Sequence, residues 1–151
     1  MREKEGRRAA GSVSPQPAAG NGWSVVLVDD DPVFAQMYRL GLEMAGFDVT
    51  VYPDGPTMLR SLNGSVPHAV VLDWQMPGMF GDEVLAQLRL DARMSRTPIF
   101  ILSNFPSTTD GAVDRVFTAG ATAWLEKVKT TPGRLAEKLI ESLEPKRESL
   151  G

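Results

Sequence analysis

The sequence predicts an α/β fold, a five-stranded parallel sheet doubly wound by helices, (βα)5. Three observations predict it. Short, continuous apolar runs at residues 25–28 (VVLV), 69–72 (AVVL) and 99–102 (IFIL) suit strands buried on both faces. The segments between the runs carry apolar residues at helical spacing. Strand and helix signals alternate along the chain, which builds a parallel sheet through right-handed crossovers.

Taken in order, residues 1–22 hold Arg, Glu, Gly, Ser, Pro and Ala with almost nothing to pack, and read as a disordered leader. Its Arg2, Lys4, Arg7 and Arg8 suit a solvated tail better than a contact with an acidic partner. A folded domain is expected over residues 23–144. The first strand, 25–28, runs into Asp29, Asp30 and Asp31, and Asp31 before Pro32 reads as a helix N-cap with proline in the first turn. Phe34, Met37, Tyr38, Gly41 and Ala45 then fall on one helix face. Residues 47–52 (FDVTVY) alternate, as an edge strand does. A fifth strand is expected at 121–126 (ATAWLE). Val113, Val116, Phe117 and Gly120 mark a helix before it, and Leu135, Leu139 and Leu143 mark one after it. Thr131 with Pro132 opens that last helix, and Gly46, Gly64 and Gly120 sit where helices should stop. Residues 145–151 read as a frayed tail.

Composition excludes several classes of function. The 151 residues carry a net charge of −3 with acids and bases interspersed, so no polycation suggests nucleic acid. There is no cysteine, which excludes disulfides, thiolate metal sites and cysteine nucleophiles together. No run approaches the roughly 18 apolar residues of a membrane span, nor does the N-terminus have the apolar core of a signal peptide. The expected location is cytoplasmic.

The chemistry lies in the residues that close the strands. Asp29 and Asp30 end the first, Asp73 the third, Ser103 the fourth and Lys127 the fifth. Ligands in open α/β sheets gather at that rim. An acid pair, a lone carboxylate, a hydroxyl and an amine meeting there suit phosphoryl transfer to a carboxylate. Asp73 would attack phosphorus and form an acyl phosphate. Asp29 and Asp30 would hold Mg²⁺, a hard ion that needs only one or two carboxylates beside phosphate oxygens. Lys127 would pair with a phosphoryl oxygen, and Ser103 would donate to another.

The blocks VVLVDDDP, DWQMPGMFG, FILSN and WLEK resemble those of response-regulator receiver domains, the CheY-like family of two-component signalling. DWQMPGMFG carries most of the likeness, since aspartate, two residues, then Met-Pro surround that family's acceptor. The resemblance implies the flavodoxin-like strand order 2-1-3-4-5. It implies Asp73 as phosphoacceptor, Asp29 and Asp30 as metal-binding acids, and the Gln75 backbone carbonyl as a further metal ligand. It also implies Ser103 as switch hydroxyl, Lys127 as phosphate-sensing lysine and Trp124 as the aromatic that changes rotamer. Asn104 stands where a small residue is usual and, with Phe105, would modulate the reaction. Val128 replaces the usual proline after the lysine, and Phe80 replaces a common acid. The partners implied are a histidine kinase or histidine phosphotransfer protein and an output protein, with a monomer or a phosphorylation-dependent homodimer. After Leu143 no output domain is expected, which suits a single-domain regulator or an excised receiver.

Two other readings compete. VDDDPV also fits the nucleophile motif of haloacid-dehalogenase-like phosphatases, with Asp29 attacking and Asp31 as acid, but no later acid pair follows the lysine. A receiver-shaped binding module that no longer needs phosphate is the other. His68, the sole histidine, reads as packing or solvent-facing rather than as a phosphodonor. Trp74 and Met76 are expected to line the rim. Residues 106–113 (PSTTDGAV) are poor helix formers, which suggests a mobile fourth helix.

Overall fold

The computed structural model describes residues 20–76, 78–104 and 111–144. Five strands are described, β1 (Ser24–Val28), β2 (Asp48–Tyr52), β3 (Ala69–Asp73), β4 (Ile99–Ser103) and β5 (Ala123–Glu126). They pair in parallel in the order β2-β1-β3-β4-β5. Five helices connect and flank them: α1 (Pro32–Met44), α2 (Gly55–Ser61), α3 (Gly81–Leu90), α4 (Ala112–Thr118) and α5 (Pro132–Leu143). This is the expected doubly wound, flavodoxin-like sheet.

Every residue of β3 and β4 is buried. A strand's side chains alternate between faces, so a sheet covered on both sides needs apolar residues at every position. The alternation divides the core in two. Val26, Val28, Val70, Leu72, Ile99 and Ile101 face α2, α3 and α4, where Met58, Leu85, Leu88 and Val116 meet them. Val25, Leu27, Val71, Phe100 and Leu102 face α1 and α5, against Tyr38, Leu42, Leu135 and Leu139. At the edge, β2 stays half-exposed, as its alternating pattern requires.

Local chemistry sets the helix ends. Asp31 accepts from the Val33 N–H at 2.9 Å, and Thr131 accepts from the Arg134 N–H at 3.1 Å. Asp54 does the same for α2 from Thr57, at 2.7 Å. Gly46 and Gly120, at φ 102° and 108°, turn the chain after α1 and α4. Gly64 plays no such part: α2 stops at Ser61 with Leu62 as its cap, and the glycine lies further on.

Other expectations are also corrected. The buried stripe of α1 is Ala35, Tyr38 and Leu42, with Phe34, Gly41 and Ala45 half-buried, and Met37 faces outward. The helix carries two apolar stripes, and helical spacing alone does not say which one packs. Phe117 is likewise exposed, while its neighbour Val116 is buried. Trp74 and Met76 belong to the core facing α3 and α4 rather than to the rim. Asn21, inside the expected leader, joins the fold: its N–H donates to the Gly46 carbonyl at 3.0 Å. Most of the segment read as mobile lies outside the described residues.

Helices α1 and α5 approach so closely that a Cβ at Gly41 would overlap the ring of Pro132. Alanine is the better helix former by about 1 kcal/mol, yet overpacking costs about 1–3 kcal/mol. Gly41→Ala is therefore expected to lower stability by up to about 2 kcal/mol, read as a lower urea midpoint.

Candidate functional site

Parallel strands bring their C-terminal ends to one rim, and the polar residues closing them converge there. Asp30, Asp31, Asp73, Gln75, Ser103, Asn104 and Lys127 line one cavity of about 170 Å³. Asp29 lies beneath it, and carboxylate oxygens of Asp29, Asp30 and Asp73 all fall within 4.8 Å of one another. Gly81 lets this end of β3 seat against α3, since a Cβ there would press on the Asp73 carbonyl at 3.2 Å and on Trp74.

The charges are unevenly placed. Asp29, Asp73 and Lys127 are 3%, 6% and 5% exposed, so their electrostatics act in a weakly screened interior. Asp30 is exposed. Lys127 Nζ lies 2.9 Å from Asp29 Oδ2 and 3.6 Å from Asp73 Oδ1, one cation shared by two carboxylates. Asp29 Oδ1 accepts from the Asp31 N–H at 2.9 Å, whereas buried Oδ2 accepts no well-aligned hydrogen bond. Two carboxylates against one amine leave an excess of negative charge. Asp73 shows it: burial first, then the Asp29 charge, push its carboxyl up to about 7 against the opposing pull of Lys127 and the Gln75 N–H.

The donor set fits a hard divalent cation. It is all oxygen, it carries surplus negative charge, and it includes a buried oxygen short of hydrogen bonds.

Two residues outside the expected set hold Lys127 in place. Tyr38 Oη donates to the Thr130 carbonyl at 2.7 Å and approaches the Lys127 carbonyl at 3.4 Å. Its hydroxyl, pushed up to about 12 by burial and then by Asp29, stays a donor. The Phe34 ring lies 4.6 Å from Lys127 Nζ, a cation–π contact. A signal was present: a tyrosine in a buried helical stripe needs a partner for its hydroxyl.

Trp124 is not at the cavity. It is buried behind Trp74, with ring centroids 5.3 Å apart, and Trp74 also meets Phe80 at 5.7 Å and the Arg115 guanidinium at 5.9 Å. Lys127 opens a single 3-10 turn, Lys127–Lys129, and Val128 projects into solvent. Phe105 lies outside the described residues. His68 is exposed and bonded to Ser24, at the far end of the sheet.

Asp73 ionises less readily in the fold than in the unfolded chain, so the folded state holds that proton more tightly. The contribution of Asp73 to stability is then greatest below about pH 4 and declines as pH rises toward about 7. Asp73→Asn removes the decline. Without divalent cations, the variant is expected to melt about 5 °C above the wild type near pH 8, and the gap should close near pH 4.

Among the described residues no helix is long and apolar enough to cross a membrane. The chain is 32% identical over 123 residues to the probable transcriptional regulatory protein TcrX of Mycobacterium tuberculosis, covering 82% of this chain and 49% of that one. It is 38% identical over 86 residues to the DNA-binding response regulator MtrA of Mycolicibacterium smegmatis, covering 57% and 36%. The chain thus spans half or less of the length of these curated relatives. Among solved structures, the chemotaxis response regulator CheY4 of Vibrio cholerae superposes with a TM-score of 0.72 at 29% identity, over 80% of this chain and 98% of that one. The family model described as the response regulator receiver domain matches residues 25–140, from the second residue of β1 into α5 and across every residue of the cavity. By fold, by rim chemistry and by this match, the chain belongs to the response regulator receiver domain family, the signalling module of two-component systems.

Proposed function

We infer that Asp73 is the phosphoacceptor of this receiver, taking a phosphoryl group from a histidine kinase or a histidine phosphotransfer protein. The observation that carries the reading is Lys127, buried and shared between Asp29 and Asp73 in a cavity lined by oxygen donors. A carboxylate oxygen of Asp73 attacks phosphorus, the P–N bond to the donor imidazole breaks, and the imidazole leaves with the bonding pair. Lys127 is placed to move from its carboxylates to a phosphoryl oxygen, and Ser103, buried beside the cavity, to donate to another. Asp29, Asp30, Asp73 and the Gln75 carbonyl would hold Mg²⁺, which when bound neutralises charge gathering between attacker and phosphoryl oxygens. Asn104 would meet the group's exposed side. Rearrangement behind Asp73, through Trp74 to Trp124, would alter the surface offered to an output partner.

The docking side is suggested by α1. Val33, Met37, Leu40 and Met44 are 75%, 40%, 48% and 60% exposed, a stripe that starts beside Asp31 at the cavity mouth. Val128, 80% exposed beside Lys127, extends the apolar rim. An apolar strip reaching an anionic site suits a donor helix carrying the phosphohistidine. Val33→Glu with Met37→Glu is expected to slow transfer about tenfold or more, using a kinase that labels the wild type. Labelling by acetyl phosphate should be unchanged.

The phosphatase reading would need Asp31 as a free acid, but its carboxylate is committed to capping α1. The test is intact mass after incubation with acetyl phosphate and Mg²⁺. One labile phosphoryl group on the wild type, absent in EDTA and in Asp73→Asn, is the expected result. A label that persists in Asp73→Asn would overturn the assignment.

A further inference from the structure

A second cavity, of about 480 Å³, opens at the other end of the sheet, where the N-terminal ends of β3 and β4 meet the end of α5. Its volume falls in the range of about 300–1,000 Å³ common to small-molecule sites. Among the described residues no carboxylate lines it, although the chain has 19 acidic residues to 16 basic ones.

Two donors on its wall stand ready. The Ser24 N–H donates to His68 Nδ1 at 2.9 Å, and the His68 N–H donates to the Ser24 carbonyl at 2.9 Å. A backbone N–H can only donate, so Nδ1 is the acceptor and the ring hydrogen sits on Nε2. That N–H is not the one bonded to Ser24. Arg96 is exposed and forms no hydrogen bond or ion pair with any described residue. Arg93 is different: Asp91 at 2.6 Å and the Leu62 carbonyl at 2.8 Å hold its guanidinium, so it frames the wall. Pro67, Pro98 and Leu143 supply an apolar side. The C-terminal carbonyls of α5 disfavour an anion only near their own last turn, where Ser142 offers a hydroxyl.

We propose that this cavity binds a small organic oxyanion, a carboxylate or phosphate ester on an apolar body, through Arg96 and the Nε2–H of His68. The apolar body would rest on Pro67, Pro98 and Leu143. The site is separate from the Asp73 cavity, with which it shares no lining residue.

The test is titration of the isotope-labelled, metal-free protein with benzoate, phenyl phosphate and neutral benzamide, followed by amide NMR. Saturable shifts at Ser24, His68 and Thr97 are expected with at least one anion and not with benzamide; which anion gives them identifies the headgroup. Arg96→Gln, an exposed substitution, should weaken binding about tenfold or more while leaving the rest of the spectrum in place. No saturable shift with either anion, equal binding of benzamide, or unchanged affinity in Arg96→Gln would overturn the proposal. So would shifts confined to Gln75, which would place the anion at the Asp73 cavity.

Discussion

Lys127→Met is expected to destabilise the metal-free protein by about 3–5 kcal/mol, the usual cost of removing one partner from a buried ion pair. Methionine keeps the length and volume of the stem and removes the charge. Asp29 Oδ2 then loses the amine at 2.9 Å, and Asp73 Oδ1 loses the one at 3.6 Å. Two buried carboxylates are left facing each other. The loss should shrink near pH 4, because Asp73, already pushed up to about 7, can relieve the repulsion by taking a proton. Mg²⁺ should recover much of the stability, and more of it than in the wild type, since the variant has lost its internal cation. Urea midpoints in EDTA and in millimolar Mg²⁺ measure both effects. A variant as stable as the wild type in EDTA would mean that Lys127 does not neutralise this site.

The second large effect is on cation affinity. Asp29→Asn preserves the shape of the side chain and an acceptor for the Asp31 N–H, but removes the most buried negative charge at the rim. Partners one shell away from a metal are worth about 10–100-fold in affinity, so a direct carboxylate should cost at least about a hundredfold. Trp74, next to Asp73 in sequence, offers the fluorescence readout. The same variant should lower the Asp73 titration, because Asp29 is the second largest cause of its elevation after burial. The decline of melting temperature with pH would then be smaller and end at a more acidic pH. If Mg²⁺ binds the variant as tightly as the wild type, the cation is held elsewhere.

The sheet was readable in the sequence because its central strands leave no choice. AVVL and IFIL carry no polar position to turn toward water, so both faces must be covered. The polar residues that end those runs then fall on one rim by the geometry of parallel strands. Asp29, Asp73, Ser103 and Lys127 were legible for that reason. The exposure of Met37 and Phe117 is not legible there, because an apolar residue on a helix reports a face and not what covers it. The burial of Trp74 is hidden by its neighbour Asp73, which is at the cavity, while successive side chains at a strand's end point to opposite sides. Tyr38 and Phe34 act on Lys127 across about ninety residues of sequence, a proximity that only the α1 packing creates.

Sodium borohydride reduction followed by peptide mapping reads which residue carries the phosphoryl group. The protein would first be labelled with acetyl phosphate and Mg²⁺, then reduced before the acyl phosphate hydrolyses. Homoserine at position 73 alone is expected. Homoserine at position 29 or 30, or a phosphate on Ser103 that survives reduction, would contradict it.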